Sequence, residues 1–147
     1  MNLTIYKAKK EDALTVAGLA IQMWEDNVLE ELAAEFAELM KSPEAVVFLG
    51  EVGGQAIGFA QCQLRRDYVE GTESSPVGYL EGIYVEAAFR QRGAAKALLT
   101  ACEAWAKDRG CREFASDCEL GNAESLRFHL GVGFREANRI ICFTKKI

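Results

Sequence analysis

A glycine between basic side chains is the first feature of the sequence that could do chemistry. Residues 89–99 read FRQRGAAKALL, which places Arg90, Arg92 and Lys96 around Gly93 in a chain of formal net charge −5. The preceding YLEGIYV is typical of a strand, and a helix is predicted to begin directly after the glycine. Backbone N–H groups at a helix N-terminus bind anions, so the stretch could cradle phosphate. It could equally be an ordinary basic helix start, and on this stretch alone both interpretations stay open.

Two carboxylates and a histidine are the candidates for proton transfer. Glu81 interrupts the otherwise apolar YLEGIYV, where a carboxylate needs a polar partner or a chemical role. Asp117 ends the predicted strand in REFASDC, a position where Asp is otherwise most often a cap or turn residue. His129 is the single histidine, and it could donate a proton or simply pack on its helix. The five cysteines are odd in number and lack C-x-x-C spacing, which predicts free thiols, no disulfide framework and no metal site.

These side chains must be positioned by an α/β fold. Apolar periodicity and turn residues predict the order β-α-α-β-β-β-α-β-α-β with a mixed sheet. The helices are expected over residues 11–23, 29–40, 94–109 and 123–132. Strands are expected in LTIY, on both sides of Gly53-Gly54, in VGYLEGIYV, in REFASDC and in a closing RIICFTKK.

Composition restricts the possible partners. The 147 residues, half of them hydrophobic and 27% charged, predict one globular domain over residues 1–147. The acidic balance argues against nucleic acid, which is bound through Lys and Arg, and is compatible with a cationic partner. The N-terminus lacks signal-peptide character, and no apolar stretch is long enough to span a membrane. We therefore expect a cytoplasmic protein with no membrane partner.

Two motifs carry a family resemblance. VEAAFRQRGAAKALL resembles the acetyl-CoA motif R/Q-x-x-G-x-G/A of the GNAT acetyltransferases, and NAESLRFHLGVGF resembles the second motif of that superfamily. The resemblance favours the cradle and implies the GNAT fold, a mostly antiparallel twisted sheet flanked by helices. It also implies acetyl-CoA as co-substrate, with the pantetheine arm along the backbone of Ile83, Tyr84 and Val85. The remaining implied acetyl-CoA contacts are Arg90, Gln91, Arg92, Gly93, Ala94, Ala95, Lys96 and Asn122.

A narrower resemblance concerns the acceptor. DYVEGTESSPVGYLEGIYV and CREFASD are similar to the short, chromosomal aminoglycoside 6′-N-acetyltransferases, over a range from about Trp24 to the C-terminus. This implies an antibiotic-resistance enzyme, a homodimer, with an aminoglycoside pocket lined by Trp24, Tyr68, Glu81 and Asp117. Glu81 is then the candidate base, acting directly or through water. His129 stands where the superfamily often has a tyrosine acid, and Asn138 stands where we expect related enzymes to carry a carboxylate.

Two other functions fit parts of the sequence. A GNAT enzyme could acetylate another small amine, a polyamine or a peptide terminus. A non-catalytic acetyl-CoA-binding module would need only the cradle, so the presence of Glu81 and Asp117 argues against it. None of the cysteines has an evident activating partner in the sequence, and we expect direct attack by the amine on the thioester.

Overall fold

Five strands form one mixed sheet in spatial order β1-β2-β3-β4-β5 in the computed structural model, which describes all 147 residues. The strands are β1 Leu3–Lys7, β2 Ala45–Val52, β3 Gln55–Arg65, β4 Val77–Val85 and β5 Phe114–Ser116. The helices are α1 Ala13–Ala20, α2 Leu29–Leu39, α3 Ala94–Asp108 and α4 Ala123–Gly131, with short 3₁₀ turns at Lys10–Asp12 and Ala87–Phe89.

Local chain chemistry explains the connections. Gly53 and Gly54 both have positive φ, which the tight β2–β3 turn requires. Strands β1 to β4 pair antiparallel with their neighbours, whereas β5 returns through the α3 crossover and pairs parallel with β4. The predicted mixed, mostly antiparallel α/β fold is therefore confirmed. The first predicted helix is shorter than expected, because residues 10–12 form a 3₁₀ turn and the α-helix ends at Ala20.

Alternating side chains of the central strands build a core on each face of the sheet. One core holds Ile57 and Leu98 and packs α3 against the sheet, with Phe128 of α4 beside it. The other holds Leu49 and Phe59 and packs α1 and α2. Strand β4 therefore lies between two buried layers that hold it in place.

The predicted closing strand is wrong. Residues 135–147 have no regular secondary structure, and Ile141 and Phe143 are 80% and 86% exposed. The segment has the composition of a strand, but a strand also needs a partner edge, and this chain pairs none with it. Asn138 still contacts the body of the protein, through a 2.9 Å hydrogen bond from its amide to Glu70.

Candidate active site

The loop between β4 and α3, together with the first turn of α3, presents a run of free backbone N–H donors. We call residues 91–96 the donor loop. Gln91 and Gly93 have φ of +61° and +88°, and α3 begins directly after them. The first hydrogen bond of the helix is donated by Ala97 to the carbonyl of Gly93 at 3.0 Å, so the N–H groups of residues 91–96 have no backbone acceptor. A Cβ added at Gly93 would meet nothing within 4 Å, so the loop needs glycine for its backbone conformation. This geometry fits an anion at the helix N-terminus.

The basic side chains around the loop have different surroundings. Arg90 is held on the end of β4, where its Nε donates to the Val85 carbonyl at 2.7 Å and its guanidinium lies 5.4 Å from the centre of the Tyr84 ring. Arg92 and Lys96 are exposed and form no ion pair within the chain. They are the side chains available to an approaching anion.

One edge of β4 is open next to this loop. Strand β5 pairs with β4 only from Gly78 to Leu80, while β3 pairs along the other edge as far as Val85. The edge from residue 81 to residue 85 therefore has no strand neighbour. Ile83, Tyr84 and Val85, which were predicted to hold an extended ligand arm, lie on this open edge.

Glu81 lies at a β-bulge. Gln61 pairs with Gly82 and Cys62 pairs with Leu80, which leaves Glu81 without an opposite residue on β3. A bulge redirects the side chain of the extra residue. Here the carboxylate faces a cleft of about 410 Å³. We call it the Glu81 cleft, and its lining includes Trp24, Asn27, Glu35, Phe36, Gln61 and Glu81.

Trp24, one of the predicted pocket residues, forms a wall of the Glu81 cleft. A Cβ at Gly82 would lie 2.8 Å from Cη2 and Cζ2 of the indole, so only glycine lets β4 and Trp24 approach this closely. The ring stacks near Phe36 with centroids 6.4 Å apart and meets Phe59 edge-on at 6.2 Å. These aromatic contacts fix the indole at one place.

The other two predicted pocket residues lie outside this cleft. Tyr68 is 78% exposed, borders a separate hollow and donates a 3.1 Å hydrogen bond to Glu70. Asp117 is exposed and accepts a hydrogen bond from the hydroxyl of Tyr79. The structure thus brings Trp24 and Glu81 together and places Tyr68 and Asp117 nearby on other surfaces.

Arg65 and Tyr79 are site residues that sequence reasoning missed. Arg65 makes two hydrogen bonds to Glu81, Nε–Oε2 at 3.0 Å and Nη2–Oε1 at 2.8 Å, and its guanidinium carbon lies 3.4 Å from the centre of the Tyr79 ring. The signal in the sequence that could have led to Arg65 was that Glu81, a carboxylate on an apolar strand, needs a polar partner. The partner is 16 residues away, and its identity depends on strand register.

Hydrogen bonding and burial shift two pKa values in this group. The hydrogen bond with Glu81 is the main cause that raises the pKa of Arg65, which stays charged. Burial, followed by the hydrogen bond to Asp117, raises the pKa of Tyr79 well above its usual value. Tyr79 therefore remains a proton donor to Asp117 throughout the neutral range.

His129 lies on α4 against β5. Its Nδ1 is 2.7 Å from the carbonyl of Ser125, which can only accept, so Nδ1 carries a proton. Its Nε2 lies 2.8 Å from Oγ of Ser116, a third residue that sequence reasoning missed. Asn122 caps the same helix by accepting from the Ser125 N–H at 3.1 Å, so it has a structural role in positioning α4.

No group of three or more His, Cys, Asp or Glu side chains is arranged to hold a metal ion. None of the helices has the length and apolar character needed to cross a membrane.

Comparison with known proteins identifies the class of fold and site. Residues 13–134 match the model of the Acetyltransferase (GNAT) family. Because this range covers most of the chain, and because the open β4 edge and the donor loop accompany it, the chain belongs to the GNAT acetyltransferase family. The resemblance stated from the motifs is confirmed.

Within that family the chain is similar over nearly its whole length to a particular group of enzymes. It is 43% identical to aminoglycoside N(6′)-acetyltransferase type 1 of Stenotrophomonas maltophilia, over 95% of this chain and 91% of that protein. The protein of the same name from Salmonella typhimurium is 41% identical, over 88% and 89%. Among solved structures, aminoglycoside N-acetyltransferase AAC(6′)-Iy in complex with CoA has a TM-score of 0.96 and 38% identity, over 99% of this chain and 96% of that one. The same enzyme with a bisubstrate analogue, CoA-S-monomethyl-acetylneamine, has a TM-score of 0.95 and 37% identity, with full coverage of both chains.

Proposed function

We propose that this chain is an acetyl-CoA-dependent aminoglycoside 6′-N-acetyltransferase that acts as a single GNAT domain and confers antibiotic resistance. The observation that carries the proposal is the bulge at Glu81. The bulge directs the Glu81 carboxylate towards the cleft, at the point where β4 loses its β5 neighbour. From there β4 continues towards the donor loop. Relatives that are about 40% identical over most of the chain carry the name of this activity.

The donor loop and the open strand edge fit the two ends of acetyl-CoA. The free N–H groups of residues 91–96 suit phosphate oxygens, with Arg92 and Lys96 adding charge. Arg90 would contact acetyl-CoA from the end of β4, where its side chain is held, and Asn122 would contribute by fixing the start of α4. The amides of residues 83–85 would bind the extended pantetheine arm and polarise the thioester carbonyl. Acetyl-CoA itself supplies the activated acyl group.

Proton transfer is assigned to Glu81 and His129. An aminoglycoside amine is protonated near neutral pH and must lose that proton before it attacks, and Glu81 accepts it, directly or through a water molecule. His129 supplies a proton to the departing thiolate when its Nε2 is protonated, next to the Ser116 hydroxyl. Asp117 is assigned to binding acceptor amines.

The acceptor is assigned from charge and shape. The Glu81 cleft combines the flat indole of Trp24 with the carboxylates of Glu35 and Glu81. Asp117 and the exposed Tyr68 extend this acidic and aromatic surface beyond the cleft. Such a surface suits an amino sugar with several positive charges, because the carboxylates attract the amines and the ring covers an apolar sugar face.

The test is thiol release from acetyl-CoA with matched acceptors. Kanamycin A, which carries a 6′-amine, should react, whereas paromomycin, which carries a hydroxyl there, should not. Spermidine and a peptide amine serve as the alternative acceptors. Fast reaction of spermidine with none of kanamycin would favour a general amine acetyltransferase, and binding of acetyl-CoA without turnover of any amine would favour a binding module.

A homodimer in the cytoplasm completes the proposal. The segment 139–146 has strand composition, exposes Ile140, Ile141 and Phe143, and pairs with no strand of its own chain. A second copy would supply the missing strand neighbour and cover these side chains. Light scattering after size exclusion should give twice the chain mass, and deletion of residues 139–147 should give a monomer. All five cysteines are free, which fits a reducing compartment where acetyl-CoA is available.

A further inference from the structure

The Arg65–Glu81 pair is the only ion pair of the protein in which a carboxylate of the proposed machinery takes part. Arg65 is the last residue of β3, and Glu81 is the bulged residue of β4. The two hydrogen bonds use both carboxylate oxygens in the parallel fork geometry of a bidentate pair. The Glu81 side chain is only 17% exposed, so its plane and direction are set by Arg65.

Arg65 is itself held in place. Its guanidinium carbon lies over the ring of buried Tyr79, and the Tyr79 hydroxyl donates a hydrogen bond to Asp117. Arg65 therefore joins the cleft that contains Glu81 to the surface that contains Asp117. It also borders the hollow next to Tyr68, so it stands between the two parts of the proposed acceptor surface.

The pair leaves Glu81 able to accept a proton. A carboxylate offers about four lone-pair sites, and Arg65 uses two of them. The charged or titratable groups around Glu81 are Arg65 from β3, Tyr79 from its own strand, Glu35 from α2 and, beyond Tyr79, Asp117. Arg65 is the single cation among them, and it holds the carboxylate through two charge-assisted hydrogen bonds.

We propose that Arg65 is a positioning residue for the transfer reaction: it orients the Glu81 carboxylate in the acceptor cleft so that a free lone pair of the carboxylate can take the proton of the acceptor amine. This inference rests on the proposed function of Glu81 as base. It assigns to Arg65 an effect on kcat rather than a direct contact with either substrate.

The experiment compares kcat and KM with kanamycin A for Arg65→Gln, Arg65→Lys and Arg66→Gln. Arg66 is the matched control, because it forms a similar two-point pair with Glu44, Nε–Oε1 at 2.7 Å and Nη2–Oε2 at 3.2 Å, and does not contact Glu81. Arg65→Gln should lower kcat about tenfold to a hundredfold, the range expected for a misoriented catalytic group, with a smaller effect on KM for kanamycin A. Arg65→Lys keeps the charge but not the fork, so kcat should remain reduced. Arg66→Gln should leave kcat and KM at the parental values.

The outcomes separate this inference from the proposed function. If the parent enzyme acetylates none of the aminoglycosides but acetylates another amine, the function is wrong, and the same three variants are compared with that amine. If the parent is active and Arg65→Gln has the kcat and KM of Arg66→Gln, the inference is overturned. Should Arg65→Gln fail to fold, as seen by loss of acetyl-CoA binding in calorimetry, Arg65→Lys decides, because parental kcat in that variant would also overturn it.

Discussion

Replacing Gly82 by alanine should damage the acceptor cleft from within the sheet. A Cβ at this position would lie 2.8 Å from two carbons of the Trp24 indole and 3.3 Å from Cε of Met23. Ordinary carbon contacts are about 3.5–4.0 Å, so the overlap is roughly 0.7 Å or more. The backbone of β4 is held by its pairing with β3, and the ring is held by Phe36 and Phe59. The indole must therefore move, and it must move away from the sheet.

The magnitude follows from the cost of overpacking. Inserting a methyl group into a well-packed site typically costs about 1–3 kcal/mol. For a chain of this size, each kcal/mol shifts Tm by roughly 2–4 °C, so Gly82→Ala should melt about 2–12 °C lower. Because Trp24 lines the cleft, KM for the acceptor should rise several-fold. The donor loop is not touched, so acetyl-CoA affinity should stay unchanged.

Gly18→Ala is the matched control. Gly18 lies inside α1, and a Cβ there would meet nothing within 4 Å. The same substitution should therefore stabilise the protein by about 0.5–1 kcal/mol, through helix propensity alone. Thermal melting, steady-state kinetics with kanamycin A and calorimetry with CoA provide the three readouts. A Gly82→Ala variant with parental Tm and parental acceptor KM would refute the reasoning about Trp24.

Four further predictions concern individual groups. Glu81→Gln should lower kcat by about 10²–10⁴-fold at neutral pH in the thiol-release assay, and a loss of only a few fold would reduce Glu81 to a binding residue. Gly93→Ala should weaken CoA binding several-fold in calorimetry, because the left-handed backbone at φ +88° costs a non-glycine residue about 1–2 kcal/mol. Asparagine tolerates this backbone conformation better than alanine, so Gly93→Asn should bind CoA more tightly than Gly93→Ala. His129→Phe should lower kcat less than Glu81→Gln, and an unchanged kcat would favour a packing role. The pKa of Tyr79 is raised above its ordinary 10.0, so above pH 10 the folded state keeps a proton that the unfolded chain loses. The protonated Tyr79 therefore contributes its full stabilisation below pH 10, and this stabilisation falls as the pH rises further. Urea titrations at pH 9 and pH 11 should show a smaller loss of stability for Tyr79→Phe than for the parent, and an equal loss would contradict the assignment.

Much of the scaffold could be predicted because its signals are local. The glycine pair at 53–54, the strand VGYLEGIYV and the helix that begins at Ala94 all occur where turn chemistry and apolar periodicity put them. The donor loop belongs to this group too, since a strand, a glycine and a helix start follow one another in eleven or so residues. A polar partner or chemical role for Glu81 was suggested by its chemistry, as a carboxylate on an apolar strand, and its role as candidate base was implied by the family resemblance.

Tertiary structure decided how the site is assembled. The ion pair of Glu81 with Arg65 depends on the register between β3 and β4, and the bulge at Glu81 changes that register by one residue. Sequence periodicity does not reveal such a shift, because one extra residue reverses the face of every side chain beyond it. Trp24 and Glu81 line one cleft while Tyr68 and Asp117 lie beyond it, an arrangement that depends on how strands and loops pack rather than on the sequence around each residue. The segment RIICFTKK has strand composition, but a strand forms only where the edge of another strand is free to pair with it. Whether such an edge is free depends on the folded sheet and its neighbours, not on the segment itself.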